Sequence, residues 1–123
     1  MNHLLPQLIF DAATRSPDAP ALSYQKDTRS YARLAEDVIA AGRAFLDLGL
    51  QRSERVAIYL DKRIENVVAC FGASAAGGAF VPVNPLLKPD QVAYILRDCN
   101  VRVLVTSAER LETLYPVLGD CID

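Results

Sequence analysis

The sequence predicts an α/β fold: a parallel βαβαβα sheet flanked by helices, preceded by an N-terminal helix and a small β-hairpin. Three observations carry that prediction. Arg55–Leu60, Ala79–Val83 and Val101–Val105 are short, nearly continuous apolar runs, as expected of strands buried on both faces of a parallel sheet. One stretch of helical periodicity separates each run from the next, as right-handed crossovers require. The first crossover helix closes in small residues and a glycine pair, Ala75-Ala76-Gly77-Gly78, directly before the second run.

Each element follows from local pattern. Leu5, Leu8, Ile9 and Ala12 are spaced i, i+3, i+4, i+7, which predicts a short amphipathic helix over residues 4–15, stopped by Ser16-Pro17. Ala21–Gln25 and Thr28–Tyr31 read as a hairpin turning at Lys26-Asp27. Tyr31, Leu34, Ala35, Val38, Ile39, Gly42, Phe45 and Leu46 then form one stripe of a longer helix, opposite Arg33, Glu36, Asp37, Arg43 and Asp47. Ser30 is its expected N-cap and Gly49 its C′ residue. An apolar stripe of this kind is core packing before it is a docking face.

After the first strand, Asp61 is expected to cap a helix that buries Ile64, Val67, Val68, Phe71 and Ala75. Pro82 cannot donate a ladder hydrogen bond, so it belongs near its strand's end or at a bulge. Lys88-Pro89-Asp90-Gln91 opens the next helix with proline at its first position, and Leu87 with Val92 forms a hydrophobic staple. Val92, Ile95, Leu96 and Cys99 face inward. Thr106 and Glu109 are expected to form a capping box for a last helix that ends near Pro116.

With 123 residues the chain reads as a single unit, 1–123, able to bury roughly two-thirds of its unfolded surface. A hydrophobic share of 51% argues against disorder, and a net charge of -2 gives no reason to expect nucleic acid or an anionic membrane as partner. His3 and the widely spaced Cys70, Cys99 and Cys121 fit neither a zinc site nor a disulfide framework. Free thiols in a reducing cytosol are the expectation, and a cytoplasmic location with it. No run reaches the ~20 apolar residues of a membrane span.

The chemistry-bearing residues are few. Gly72 and Gly77 have the glycine spacing of a phosphate-binding loop, but Gly78 stands where the lysine belongs, and the run joins helix to strand instead of strand to helix. With His3 as the single histidine, no Ser-His or Cys-His nucleophile pair is expected. Asp61 with Glu65 reads as a cap and a solvated face ahead of a paired acid and base, and Lys62-Arg63 as a solvated basic pair. Tyr59 and Asn84 stand at the carboxyl ends of two parallel strands, the edge where open α/β sheets bind ligands. Strand-end and turn roles are favoured for both, and no catalytic, cofactor-binding or metal-binding residue is assigned.

Ser30-Tyr31-Ala32-Arg33-Leu34-Ala35, Glu54–Leu60, Ala76-Gly77-Gly78-Ala79-Phe80-Val81-Pro82-Val83-Asn84-Pro85, Val92–Asp98 and Val103–Thr106 occur in an order that resembles the N-terminal portion of the adenylate-forming enzymes. This superfamily comprises acyl-CoA synthetases, nonribosomal peptide synthetase adenylation domains and luciferases. The resemblance covers essentially all 123 residues, and Ala76–Pro85 is its most specific part. Asn84-Pro85, where peptide-synthetase domains more often carry Asp-Pro, looks more like an acyl-CoA ligase. The stretches Asp61–Glu65 and Pro85–Pro89 are similar to exosortase-associated bacterial acyl-CoA ligases.

The resemblance implies a parent enzyme of fatty acid or related carboxylate metabolism. Its carboxylate substrate attacks the α-phosphate of Mg-ATP, and a thiol, usually that of CoA, takes the acyl group from the adenylate. The family's phosphate loop, aromatic-Thr-Glu motif, ribose-binding Asp and catalytic Lys have no match in this sequence. ATP, Mg and CoA are therefore expected of the parent and not of this chain, which is expected to be inactive alone. Its expected partners are the remainder of the parent enzyme and, through uncovered apolar surface, a second copy as homodimer or domain swap. Two alternatives stand beside this reading: a stand-alone interaction or regulatory module derived from the ligase N-terminus, and an unrelated small nucleotide-binding domain.

Overall fold

The computed structural model describes residues 5–119; His3 and Cys121 lie outside the described residues. The chain forms α1 (Leu5–Arg15), β1 (Pro20–Tyr24), β2 (Asp27–Ser30), α2 (Tyr31–Asp47), β3 (Arg55–Tyr59), α3 (Ile64–Ala75), β4 (Ala79–Pro82), α4 (Pro89–Asp98), β5 (Val101–Thr106) and α5 (Ala108–Leu118). Strands β4, β3 and β5 make a parallel sheet in the order β4-β3-β5, and β1 pairs antiparallel with β2. The α/β architecture expected from the apolar runs is therefore the one observed.

Alternation along β3 builds the three layers. Val56, Ile58 and Leu60 pack with Phe45, Leu50, Ala69 and Ala73 of the α2/α3 side. Ala57 and Tyr59 pack with Val92, Ala93, Leu96 and Leu114 of the α4/α5 side. A third cluster of Ile9, Leu34 and Val38, with Phe10, Leu22, Val68 and Phe71, joins α1 and the hairpin to the outside of α2 and α3. In β5, Val101 and Val103 stand two apart yet face opposite layers. The reason is a register shift: Arg55 pairs with Val101, whereas Val56 pairs with Val103, leaving Arg102 as the extra residue of a bulge.

Glycine decides one turn and one close approach. Gly77, at φ +88°, follows the C-cap Ala76 and turns α3 into β4. Gly72 lies at the α2/α3 crossing, where a Cβ would stand 2.6 Å from that of Ala41. Gly49 at φ +95° ends α2 as its position predicts, and Ser30 accepts from the Arg33 amide at 3.2 Å as N-cap. Pro82 is the last residue of the edge strand β4. The Val83 amide bonds the Ile58 carbonyl, so the imino nitrogen one residue earlier faces the open side.

Several local expectations shift. In α1 the inward residues are Pro6 and Ile9, while Leu8 is 67% exposed and Leu5 also faces out. Apolar residues cover more than half of that helix's circumference, and contact with one neighbouring layer buries only part of it. The same geometry leaves Ile39 and Leu46 of α2 exposed. The hairpin turns at Gln25-Lys26, because Tyr24 pairs with Asp27 and Gln25 takes the left-handed conformation at φ +56°.

Asp61 does not cap α3; Arg63 occupies the N-cap position and makes no side-chain cap bond. The buried face of α3 is Ile64, Ala69, Gly72 and Ala73, and Ala75 is exposed, since its small residues fit against the sheet while Val68 and Phe71 turn toward α1. The N-cap of α5 is Ser107, which accepts from the Arg110 amide at 3.3 Å, because Thr106 is still in β5. Pro116 lies inside α5, two residues before its end. In α4 the Gln91 side chain accepts from the Lys88 amide at 2.9 Å, and Leu87 packs against the core cluster that contains Val92.

Candidate site at the carboxyl edge of the sheet

The carboxyl ends of β3 and β4 and the first turn of α5 converge on one cluster of polar groups. Tyr59, 5% exposed, donates its phenol to the Leu87 carbonyl at 2.7 Å. The hydroxyl of Thr106 donates to the Tyr59 carbonyl at 2.8 Å, joining the ends of β3 and β5. Asn84 folds the turn after β4: its Oδ1 accepts from the Leu86 amide at 2.9 Å, and its carbonyl from the Leu87 amide at 3.1 Å. Both polar groups that the sequence places at the strand ends thus engage the β4–α4 turn.

Arg110 is the residue that sequence reasoning missed. Its guanidinium lies 4.5 Å from the centre of the Tyr59 ring, donates Nη1–H to the Pro85 carbonyl at 3.0 Å, and donates from Nη2 to Asp61. Burial works against its charge, but the Asp61 carboxylate and then Tyr59 outweigh that, so its pKa is raised from the usual value. A signal was available: a cation in the first turn of a helix opposes the helix dipole and needs another partner. Asp61, expected as a cap, is the bridge between Arg110 and Arg63, the latter at 3.6 Å.

A shallow cavity of about 390 Å³ opens beside this cluster, lined by Asp61, Arg63, Ser107, Glu109, Arg110 and Thr113. Glu65, in the first turn of α3, lies at a different place, on the rim of a groove of about 610 Å³. Phe45, Leu48, Ile64, Val68 and Val105 make that groove mainly apolar.

The glycine run does not fit the phosphates of a nucleotide. Gly72 is packed within α3 against Ala41 and Gly42, and Gly77 ends the helix, so this glycine run offers no helix N-terminus to a phosphate. Among the described residues no group of three or more His, Cys, Asp and Glu side chains is placed to hold a metal ion. Cys70 and Cys99 are free and half-buried, and no helix among the described residues is long and apolar enough to cross a membrane.

Comparison with known proteins agrees with this architecture. Residues 9–121 match the family model described as AMP-binding enzyme. Surfactin synthase subunit 3 of Bacillus subtilis (strain 168) is 35% identical over 102 residues, covering 83% of this chain and 8% of that protein. A long-chain-fatty-acid–CoA ligase of the same organism is 34% identical over 116 residues, covering 94% of this chain and 20% of the ligase. The structure of the anthranilate CoA ligase AuaEII in complex with anthranoyl-AMP superposes with a TM-score of 0.90 at 26% identity, over 95% of this chain and 23% of that one. The chain thus spans a small part of the relatives it matches. With the family model covering nearly its whole length, the chain belongs to the AMP-binding, adenylate-forming enzymes.

Proposed function

We propose that this chain is the N-terminal portion of an ATP-dependent, AMP-forming ligase that activates a carboxylic acid as its adenylate and passes the acyl group to a thiol. The observation that carries the proposal is the superposition of 95% of the chain on less than a quarter of the anthranilate CoA ligase. Asn84-Pro85 after β4 favours CoA as the acceptor over a peptide-synthetase carrier, against a background of relatives of both kinds. In such a protein this segment supplies scaffold. Its parallel sheet fixes the β4–α4 turn at the carboxyl edge, while charge neutralisation at the reacting phosphate comes from groups outside residues 1–123. ATP and Mg belong to that larger protein, CoA to the acyl-CoA branch of the family, and the compartment is the cytoplasm.

Two measurements test this. Carboxylate-dependent exchange of radiolabelled pyrophosphate into ATP is expected of the complete reading frame with a panel of acids, and absent for this chain alone. Exchange by the chain alone, or none by the complete frame, overturns the proposal. The downstream reading frame separates it from a stand-alone regulatory module: a Ser/Thr/Gly-rich loop ending in lysine supports the ligase. The chain alone is also expected to self-associate through the apolar groove beside Val105 and the half-exposed face of β5. A monomeric sedimentation profile at high concentration contradicts that expectation.

A further inference from the structure

We propose that Arg110 is a positioning residue that locks the Pro85–Lys88 turn to the carboxyl ends of the sheet, so that the rim of this edge holds one shape independently of overall stability. This inference stands apart from the reaction proposed above. It rests on three contacts made by one guanidinium to three different segments: Tyr59 at the end of β3, Asp61 in the β3–α3 connection, and the Pro85 carbonyl after β4. A planar cation can stack its face on an aromatic ring while its fixed fork of N–H groups donates in two directions; an ammonium has three donors but no plane to stack and no fixed fork.

The neighbouring bonds close the circuit. The Tyr59 phenol, beneath the guanidinium, reaches the Leu87 carbonyl at 2.7 Å, two residues beyond the carbonyl that Arg110 holds. Thr106, four residues before Arg110, bonds the Tyr59 carbonyl at 2.8 Å, and Ser107 fixes the Arg110 backbone. Asn84 folds the turn from within. Leu86, at 88% exposed, contributes little packing, so Leu87 anchors the far end of the turn in the core and polar contacts hold the part nearest the sheet edge. The carboxyl edge is where ligands meet open α/β sheets, which gives a fixed rim its use.

Site-resolved amide hydrogen exchange on this chain tests the inference. In Arg110→Met the Leu86 and Leu87 amides should exchange about tenfold faster, while Ala57 and Ile58 at the centre of β3 keep the wild-type rate. Arg110→Lys should show most of the same acceleration, because a compact ammonium has neither the plane that stacks on Tyr59 nor the fixed fork that spans Asp61 and Pro85. Asp61→Asn should show less than either, since the ring and carbonyl contacts remain. Equal acceleration at the turn and in β3, no acceleration in Arg110→Met, or a wild-type turn in Arg110→Lys overturns the proposal. Should the Met variant fail to fold, the Lys variant alone decides.

Discussion

Replacing Gly72 with alanine tests whether α2 and α3 meet through backbone contact. The added methyl would lie 2.6 Å from Cβ of Ala41, 3.3 Å from the Gly42 nitrogen and 3.4 Å from the Ala41 carbonyl carbon. Carbon atoms rest at about 3.5–4.0 Å, so the helices must part by about 1 Å along this line. All three neighbours are backbone or Cβ atoms, and no rotamer change relieves them. Overpacking costs about 1–3 kcal/mol, toward the upper end for an approach of 2.6 Å, and the better helix propensity of alanine returns up to ~1 kcal/mol, leaving a net loss of about 2 kcal/mol. With a urea slope of about 1–3 kcal/mol/M, the unfolding midpoint should fall by about 1 M or somewhat less. Gly42→Ala is the internal control, because its methyl would meet nothing nearer than the Gly72 carbonyl oxygen at 3.4 Å. It should stay at wild type or rise by up to ~1 kcal/mol, since the same propensity gain meets only ordinary contact. A Gly72→Ala midpoint at or above wild type, or equal losses in both variants, would refute the reasoning.

Two further substitutions address the last helix and a half-buried thiol. Ser107→Ala should cost about 1 kcal/mol as the loss of an N-cap, and urea unfolding should show a larger fall for it than for Glu109→Ala, since Ser107 and not a Thr106–Glu109 box caps α5. Cys70 donates to Asn66 Oδ1 at 3.8 Å, and burial pushes its thiol up from the ordinary 9.0. The unfolded thiol loses its proton first, so this contribution to stability is whole below the unfolded pKa and disappears as pH rises through the folded one. Under reductant, the wild-type urea midpoint should therefore fall more between pH ~8 and ~10 than that of Cys70→Ala, and parallel pH profiles contradict this.

What the sequence made legible follows the range over which each signal acts. Buried parallel strands need apolar residues on both faces, so Val56–Leu60 and Val101–Val105 announced themselves without their neighbours. Helix ends set by glycine, such as Gly49 and Gly77, were equally local. The inward face of α1 was not, because Leu5, Leu8, Ile9 and Phe10 are all apolar and only the partner layer selects among them. Thr106 and Ser107 both cap helices well, and the choice fell to the length of β5, which its pairing with Tyr59 extends through Thr106. At the carboxyl edge, Tyr59 and Asn84 were placed by strand counting. Arg110 was invisible as their partner because 49 positions separate it from Asp61 and 25 from Pro85. The Gly72–Ala41 approach was hidden for the same reason, and its glycine drew notice only through an accidental spacing with Gly77.

The position of Pro82 gives the sheet a direction of growth. A newcomer aligned beside β4 would find one donor missing from the row it must pair with, at the strand's final residue. Beside β5, all six residues Val101–Thr106 have an amide to offer or to share. Extension of the hydrogen-bonded ladder is thus discouraged at one margin and permitted at the other, and any further strand joins a sheet already biased in sidedness by a single imino acid.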